Sequence, residues 1–182
     1  MTENPGHQGR QGPLLDELLP KSAVLIGAFR GDPDVASHGH PLVRTAEALG
    51  AHHHQQWAAE DNSRAAIDVD ELARAKRLID ELNARRVELV EQIDKWIAAE
   101  TTARPEASLH TETLGSVIDR LAIAWVRANH LTTATGDLQL ARDALRQLAE
   151  LAGAYDDLVR DLAAGRRRLP AWRSLKRYGA GR

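Results

Sequence analysis

An apolar stripe with helical spacing in residues 72–97 constrains the fold more than any other feature of the sequence. Leucine, isoleucine, valine and tryptophan recur there, mostly at i, i+3, i+4 and i+7. This spacing is typical of an amphipathic helix that buries one face. Pro105 prevents the helix from continuing. No segment alternates apolar and polar residues for long enough to predict a strand, so we expect an all-α protein.

Three further segments have the length and periodicity of main helices, and they begin near Pro41, Glu112 and Asp137. The segment from about Glu112 to Leu131 is apolar nearly all round, which is typical of the central helix of a bundle. Asp137 is a natural N-cap of the last helix, and Gly165 is a natural C-cap. We therefore predict a helical bundle of about four main helices, with short N- and C-terminal helices.

The length of 182 residues fits one bundle domain with weakly patterned segments before it. Residues 1–12 are polar and glycine-rich and predict a disordered tail, residues 13–40 predict a short helix and a linker, and residues 41–182 predict the helical bundle domain. The N-terminus lacks the apolar core of a signal peptide. The longest apolar run, Ala23 to Phe29, is too short to span a bilayer. We expect a cytoplasmic protein without membrane attachment.

The composition removes several kinds of site. Because the chain contains no cysteine, it has no disulfides, thiolate metal sites or cysteine nucleophiles. Histidines 52–54 precede Glu60 and Asp61, but consecutive histidines point around a helix in several directions, so the pattern favours solvated histidines over a metal site. A divalent metal near His53, Glu60 and Asp61 stays the alternative. No cofactor and no familiar catalytic motif is indicated, which leaves open whether the chain is an enzyme.

Charged residues inside apolar stripes are the main functional signal. Asp80 and Asn83 are neighbours on one helix. Asp119 and Arg120 interrupt the apolar run of the central helix, and a buried charge is costly unless it is paired. Two interpretations follow: a polar pocket between helices, or a network that only fixes helix register. By contrast, Glu88, Glu91 and Asp94 follow one another at three-residue spacing, and this acidic ridge predicts a solvated face.

Four segments resemble the domain of unknown function 4254 family. They are WAAEDNSR from Trp57, IDELNARR from Ile79, TETLGSVIDRL from Thr111 and GRRR from Gly165, in the family's order over about Pro41 to Tyr178. The resemblance implies a helical bacterial protein without a settled activity. It also implies shared polar positions at Glu60, Asp61, Arg64, Asp80, Asn83, Arg86, Glu112, Ser116, Asp119 and Arg120.

We expect these polar side chains to converge between helices and to bind a small polar ligand. A phosphorylated or sugar-like metabolite fits the set, because arginine clamps oxyanions bidentately. The alternative is a non-catalytic scaffold or partner-binding bundle. Trp96, Trp125 and Trp172 add apolar area that a chain of this size does not cover alone, so we also expect a homo-oligomer, most simply a homodimer.

The C-terminal tail is strongly basic. We expect it to pack on an acidic face of the protein and not to bind nucleic acid, because the net charge of −2 gives little attraction to a polyanion. Its basic residues are Arg166, Arg167, Arg168, Arg173, Lys176, Arg177 and Arg182.

Overall fold

The computed structural model describes residues 18–36, 39–102, 104–134 and 137–171. These residues form six helices and one pair of two-residue strands, which confirms the all-α prediction. In chain order the elements are α1 (Ser22–Phe29), α2 (Pro33–Ala36), α3 (Pro41–Ala65), α4 (Val69–Glu100), β1 (Ser108–Leu109), α5 (Leu114–Ala134), α6 (Leu138–Ala163) and β2 (Arg167–Arg168). The strands pair in parallel.

The ends of the predicted N- and C-terminal segments lie outside the described residues. The disordered tail of residues 1–12 therefore stays a prediction, as does nearly all of the short helix expected after Pro170. The segment 13–40 contains α1 and α2, which sequence periodicity alone did not resolve. None of the described helices is long and apolar enough to cross a membrane.

Side-chain caps start two of the long helices, and the sequence predicts the one at Asp137. Asp68 accepts a hydrogen bond from the Glu71 N–H at 2.7 Å and so caps α4. Asp137 accepts from the N–H groups of Gln139 and Leu140, both at 3.0 Å, and caps α6. Gly165 follows α6 with a φ of +69°, a conformation that glycine adopts without strain.

Helix α5 lies at the centre of the fold, as predicted. It contacts α1, α3, α4 and α6, and its Leu114 and Ile118 are fully buried. Helices α3 and α4 pack on one side of α5, and α6 packs on another. The short α1 joins α3 to α6, because Ser22 donates to Asp156 through both its N–H and its hydroxyl. The bundle therefore has a three-helix half formed by α3, α4 and α5.

The contact between α1 and α3 depends on a glycine. The Cβ of an alanine at Gly50 would lie 2.6 Å from the Cα and 2.8 Å from the carbonyl carbon of Phe29. Both contacts are with backbone, which cannot rotate away. The Phe29 ring also packs near Trp125, with centroids 6.3 Å apart. Gly50 therefore lets the end of α1 lie directly on α3.

We predict that Gly50→Ala lowers the free energy of unfolding by about 2 kcal/mol or more, because the new methyl group overpacks the α1–α3 contact. Gly153→Ala is the matched control, since nothing lies within 4 Å of its Cβ and it sits within α6. There the substitution should stabilise the protein by about 0.5–1 kcal/mol. Urea unfolding measures both, and equal effects would contradict the packing described here.

Candidate functional site

A carboxylate on α5 joins three helices. Asp119 is 4% exposed, and it lies between His53 of α3 and Arg86 of α4. The Nε2 of His53 lies 2.8 Å from its Oδ1. The Arg86 Nε is 3.0 Å from both carboxylate oxygens, and an Nη of Arg86 donates to Oδ2 at 2.5 Å. Both oxygens are therefore occupied by donors from neighbouring helices.

The electrostatics keep this carboxylate ionised. Burial raises the pKa of Asp119, but the hydrogen bonds and charges of His53 and Arg86 outweigh it and leave the pKa below its usual value. The same hydrogen bond raises the pKa of Arg86. Because an ionised carboxylate only accepts, the Nε2 of His53 must carry the proton that it donates.

The residue before His53 is also buried, but one of its ring nitrogens is unpaired in the described structure. His52 is 4% exposed, and its Nε2 has no hydrogen-bond partner among the described residues. Burial lowers the pKa of His52 to about 4. The neighbouring charges of His53, Arg86 and Arg85 add to this effect, while the charge of Asp119 opposes it. One helical turn later, the Oε1 of Gln56 is also buried without a partner in the described part of the chain. Two polar groups on one face of α3 are thus unsatisfied.

An open groove of about 390 Å³ lies between α3 and α4. Ala48 lines the groove one turn before His52, so the two side chains share the same row of α3. Arg85 lines the opposite wall, and its charge acts on His52. The other lining residues are Pro41, Leu42, Arg44, Thr45, Leu89, Gln92 and Trp96.

Of the polar residues expected to converge between helices, Arg86 and Asp119 are the two that meet there in the described part of the chain. Glu60, Asp61 and Arg64 form a separate exposed group, in which the Arg64 guanidinium is 2.7 Å from the Asp61 carboxylate and 4.0 Å from that of Glu60. The expectation that the whole set meets between helices is therefore corrected.

The remaining members of the set lie at other surfaces. Asp80 and Asn83 are exposed on α4. Arg120 lies 3.7 Å from Glu112 in an exposed pair, and Ser116 accepts a hydrogen bond from the Thr113 hydroxyl at 3.0 Å. The helical turn explains the separation. Successive residues point about 100° apart, so Arg120 faces solvent because the residue before it faces the core. Ligand binding by these residues stays a prediction.

The expectation of solvated histidines at 52–54 is wrong. His52 and His53 are buried, and His54 is half-buried. The alternative metal set does not assemble, because His53 bonds to Asp119 while Glu60 and Asp61 lie beside Arg64. A sequence signal for His53 existed, since Leu49 and Ala46 precede it at i−4 and i−7 and are fully buried. Across the described ranges no three metal-ligating side chains cluster.

Two further predictions concern the acidic ridge at Asp94 and the basic C-terminal tail. Asp94, expected on a solvated acidic ridge, is 2% exposed, and it accepts from the Gly115 N–H at 2.7 Å at the start of α5. In the basic tail, Arg166 lies 2.7 Å from Asp161. Arg167 lies 3.9 Å from the same carboxylate. Arg168 donates to a backbone carbonyl. The later basic residues Arg173, Lys176, Arg177 and Arg182 lie outside the described part of the chain.

Comparison with known proteins identifies one family. The model described as "Protein of unknown function (DUF4254)" matches residues 44–171. This range includes His53, Arg86 and Asp119 and almost the whole α3–α4 groove. No curated protein and no solved structure is significantly similar to the chain.

We predict that Asp119→Asn lowers the free energy of unfolding by about 3 kcal/mol, because it removes the charge that balances a partly buried guanidinium. Arg120→Met, one residue away, should change it by less than about 1 kcal/mol, since its ion pair with Glu112 is exposed. Chemical denaturation of the two variants checks this. A similar loss of stability in both variants would contradict the claim that Asp119 connects α3, α4 and α5.

We also predict that acid destabilises the protein through His52. Its pKa is about 4 in the fold against 6.5 normally, so the unfolded chain binds the proton first. This contribution to stability is complete above pH 6.5 and is lost as the pH falls toward 4, at a total on the order of 3 kcal/mol. Unfolding experiments between neutral and acidic pH should show a shallower decline in His52→Leu. Parallel curves would contradict the prediction.

Proposed function

The chain belongs to the DUF4254 family, and we propose that it binds a small, polar, anionic metabolite in the groove between α3 and α4. Phosphorylated or sugar-like compounds are the favoured class. The unpartnered Nε2 of His52 is the observation that carries this proposal, because a buried polar atom without a hydrogen bond is costly and rare in native proteins. The Asp119 network does not need this atom, since His53 and Arg86 together satisfy both carboxylate oxygens.

The groove walls offer suitable groups for an anion. Arg44 and Arg85 approach from different helices. Arg85 pairs with Glu88 at 2.7 Å, but this i, i+3 pair is exposed and therefore weak, so a bound anion can displace it. Gln92 adds an amide, and Trp96 adds an apolar surface for the body of the ligand.

The Asp119 network positions the two helices that form the groove. His53 and Arg86 hold the carboxylate. Their chain neighbours are His52, one turn beyond the groove-lining Ala48, and Arg85, which lines the groove. The network therefore fixes the spacing and rotation of the two groove walls. This role is positioning, and we assign no reaction to it.

The second candidate function is a scaffold or partner-binding bundle whose network only fixes register. The complete use of both Asp119 oxygens favours it, because a fully satisfied buried network specifies one arrangement of helices. We further propose a cytoplasmic bacterial protein that forms a homodimer and binds no nucleic acid. Leu138, which is 70% exposed on α6, supports self-association.

We predict that a sugar phosphate such as glucose 6-phosphate raises the melting temperature, while glucose does not. Arg85→Gln should weaken binding by about tenfold or more, because a charge-assisted hydrogen bond is lost. Arg64→Gln is the control, since Arg64 lies outside the groove. Calorimetric titration measures the affinities.

The variant His52→Leu separates the two candidate functions. It should stabilise the ligand-free protein, because an unsatisfied polar atom is removed, and it should abolish binding. The scaffold function predicts that no compound in a panel of phosphorylated and carboxylated metabolites shifts the melting temperature. That result, or an affinity that is unchanged in Arg85→Gln, would overturn the proposed function.

A further inference from the structure

A second pair of polar side chains connects α3 to α5 on a different face from the groove. His54 of α3 and His130 of α5 are both half-buried, and the Nδ1 of the first lies 3.2 Å from the Nε2 of the second. Tryptophan rings flank the pair. Trp57 stacks on His130 at 4.7 Å and 6°, and Trp125 lies edge-on to His54 at 5.2 Å. The stacked Trp57 covers one face of the His130 ring, and the facing nitrogens of His54 and His130 are directed at each other.

The separation of the two nitrogens fits a shared metal ion. Imidazole nitrogens bind zinc at about 2.0–2.1 Å, so an ion equidistant from both would view them at an angle of roughly 100°, near the tetrahedral value. The rings are tilted by 56° to one another, so the pair is not a face-to-face stack. Without an ion, the same spacing accommodates one N–H···N hydrogen bond.

The surroundings favour the neutral imidazole that a metal requires. Burial lowers the pKa of His54, and the charge of His130 lowers it further. When an ion binds, the proton between the two rings moves to an outer ring nitrogen by a change of tautomer, so both inner lone pairs become ligands. The flanking tryptophans restrict the rotation of both rings, which keeps the pair preorganised.

We propose that His54 and His130 form an open binding site for a divalent transition-metal ion of the zinc, nickel and copper class. The protein supplies two nitrogen ligands, since no cluster of three ligating side chains occurs in the described residues. Water or an external ligand completes the coordination. The sequence pattern favoured no metal site, because it could not show that His130 reaches α3. This site does not depend on the function proposed for the α3–α4 groove.

The test uses the full chain and metal salts alone. Nickel should bind with one-to-one stoichiometry in a calorimetric titration and should quench tryptophan fluorescence, because Trp57 stacks on a ligand ring. Zinc should compete without quenching. His54→Gln and His130→Gln should each weaken binding by at least about tenfold. His110→Gln is the control, since His110 bonds within its own loop to Glu112. Trp57→Phe should keep the affinity and reduce the quenching.

Copper bound to the unmodified protein gives a second readout that needs no variant. Its electron paramagnetic resonance spectrum should show superhyperfine coupling to two nitrogens. A spectrum with one nitrogen or none would overturn the proposal. Nickel affinity that is unchanged in both glutamine variants, or no measurable affinity in the unmodified chain, would overturn it equally.

Discussion

The structure depends on one buried carboxylate. Asp119 meets Arg86 and His53 from two other helices, so a single residue of α5 ties α3 and α4 to the centre of the bundle. Burying a charge is costly, and this cost is offset only when every lone pair has a donor. The bidentate guanidinium and the imidazole provide those donors in a fixed geometry. Arrangements of α3 and α4 that break these bonds leave an unpaired charge behind.

The bonds to Asp119 take up one residue of α3 and one residue of α4, and they leave the chain neighbours of those residues outside the network. On α3, His53 turns toward Asp119, while the Nε2 of the buried His52 has no hydrogen-bond partner among the described residues. On α4, Arg86 turns toward Asp119 while Arg85 lines the groove. Adjacent residues on each helix therefore have different roles. One residue of each adjacent pair bonds to Asp119, and the other does not. The spacing of the groove walls therefore depends on the bonds of His53 and Arg86 to Asp119, which lie outside the groove lining.

Local rules predicted the helices and their caps, because caps and periodicity depend on residues close in sequence. Asp137 begins its helix as expected, and Asp119 is paired as its apolar neighbours require. The partners could not be predicted, since they depend on how helices cross and rotate. His53 appeared to be a solvated histidine, yet it lies on the row of buried Leu49.

Two further differences have the same origin. Asp94 looked like part of an exposed ridge, but the close approach of α5 at Gly115 buries it. Asp61 and Arg120 are of the same residue types as Asp119 and Arg86, but their positions on the helices direct them to solvent. Composition thus identified the kind of chemistry, while tertiary packing selected which residues perform it.

The most direct measurement is the long-range proton–nitrogen NMR spectrum of the histidine side chains. The account predicts that Nε2 of His53 carries a slowly exchanging proton, and that this signal changes strongly in Asp119→Asn and little in Arg120→Met. A His53 ring that exchanges freely with solvent and gives the same signals in Asp119→Asn would contradict the claim that Asp119 joins the three helices.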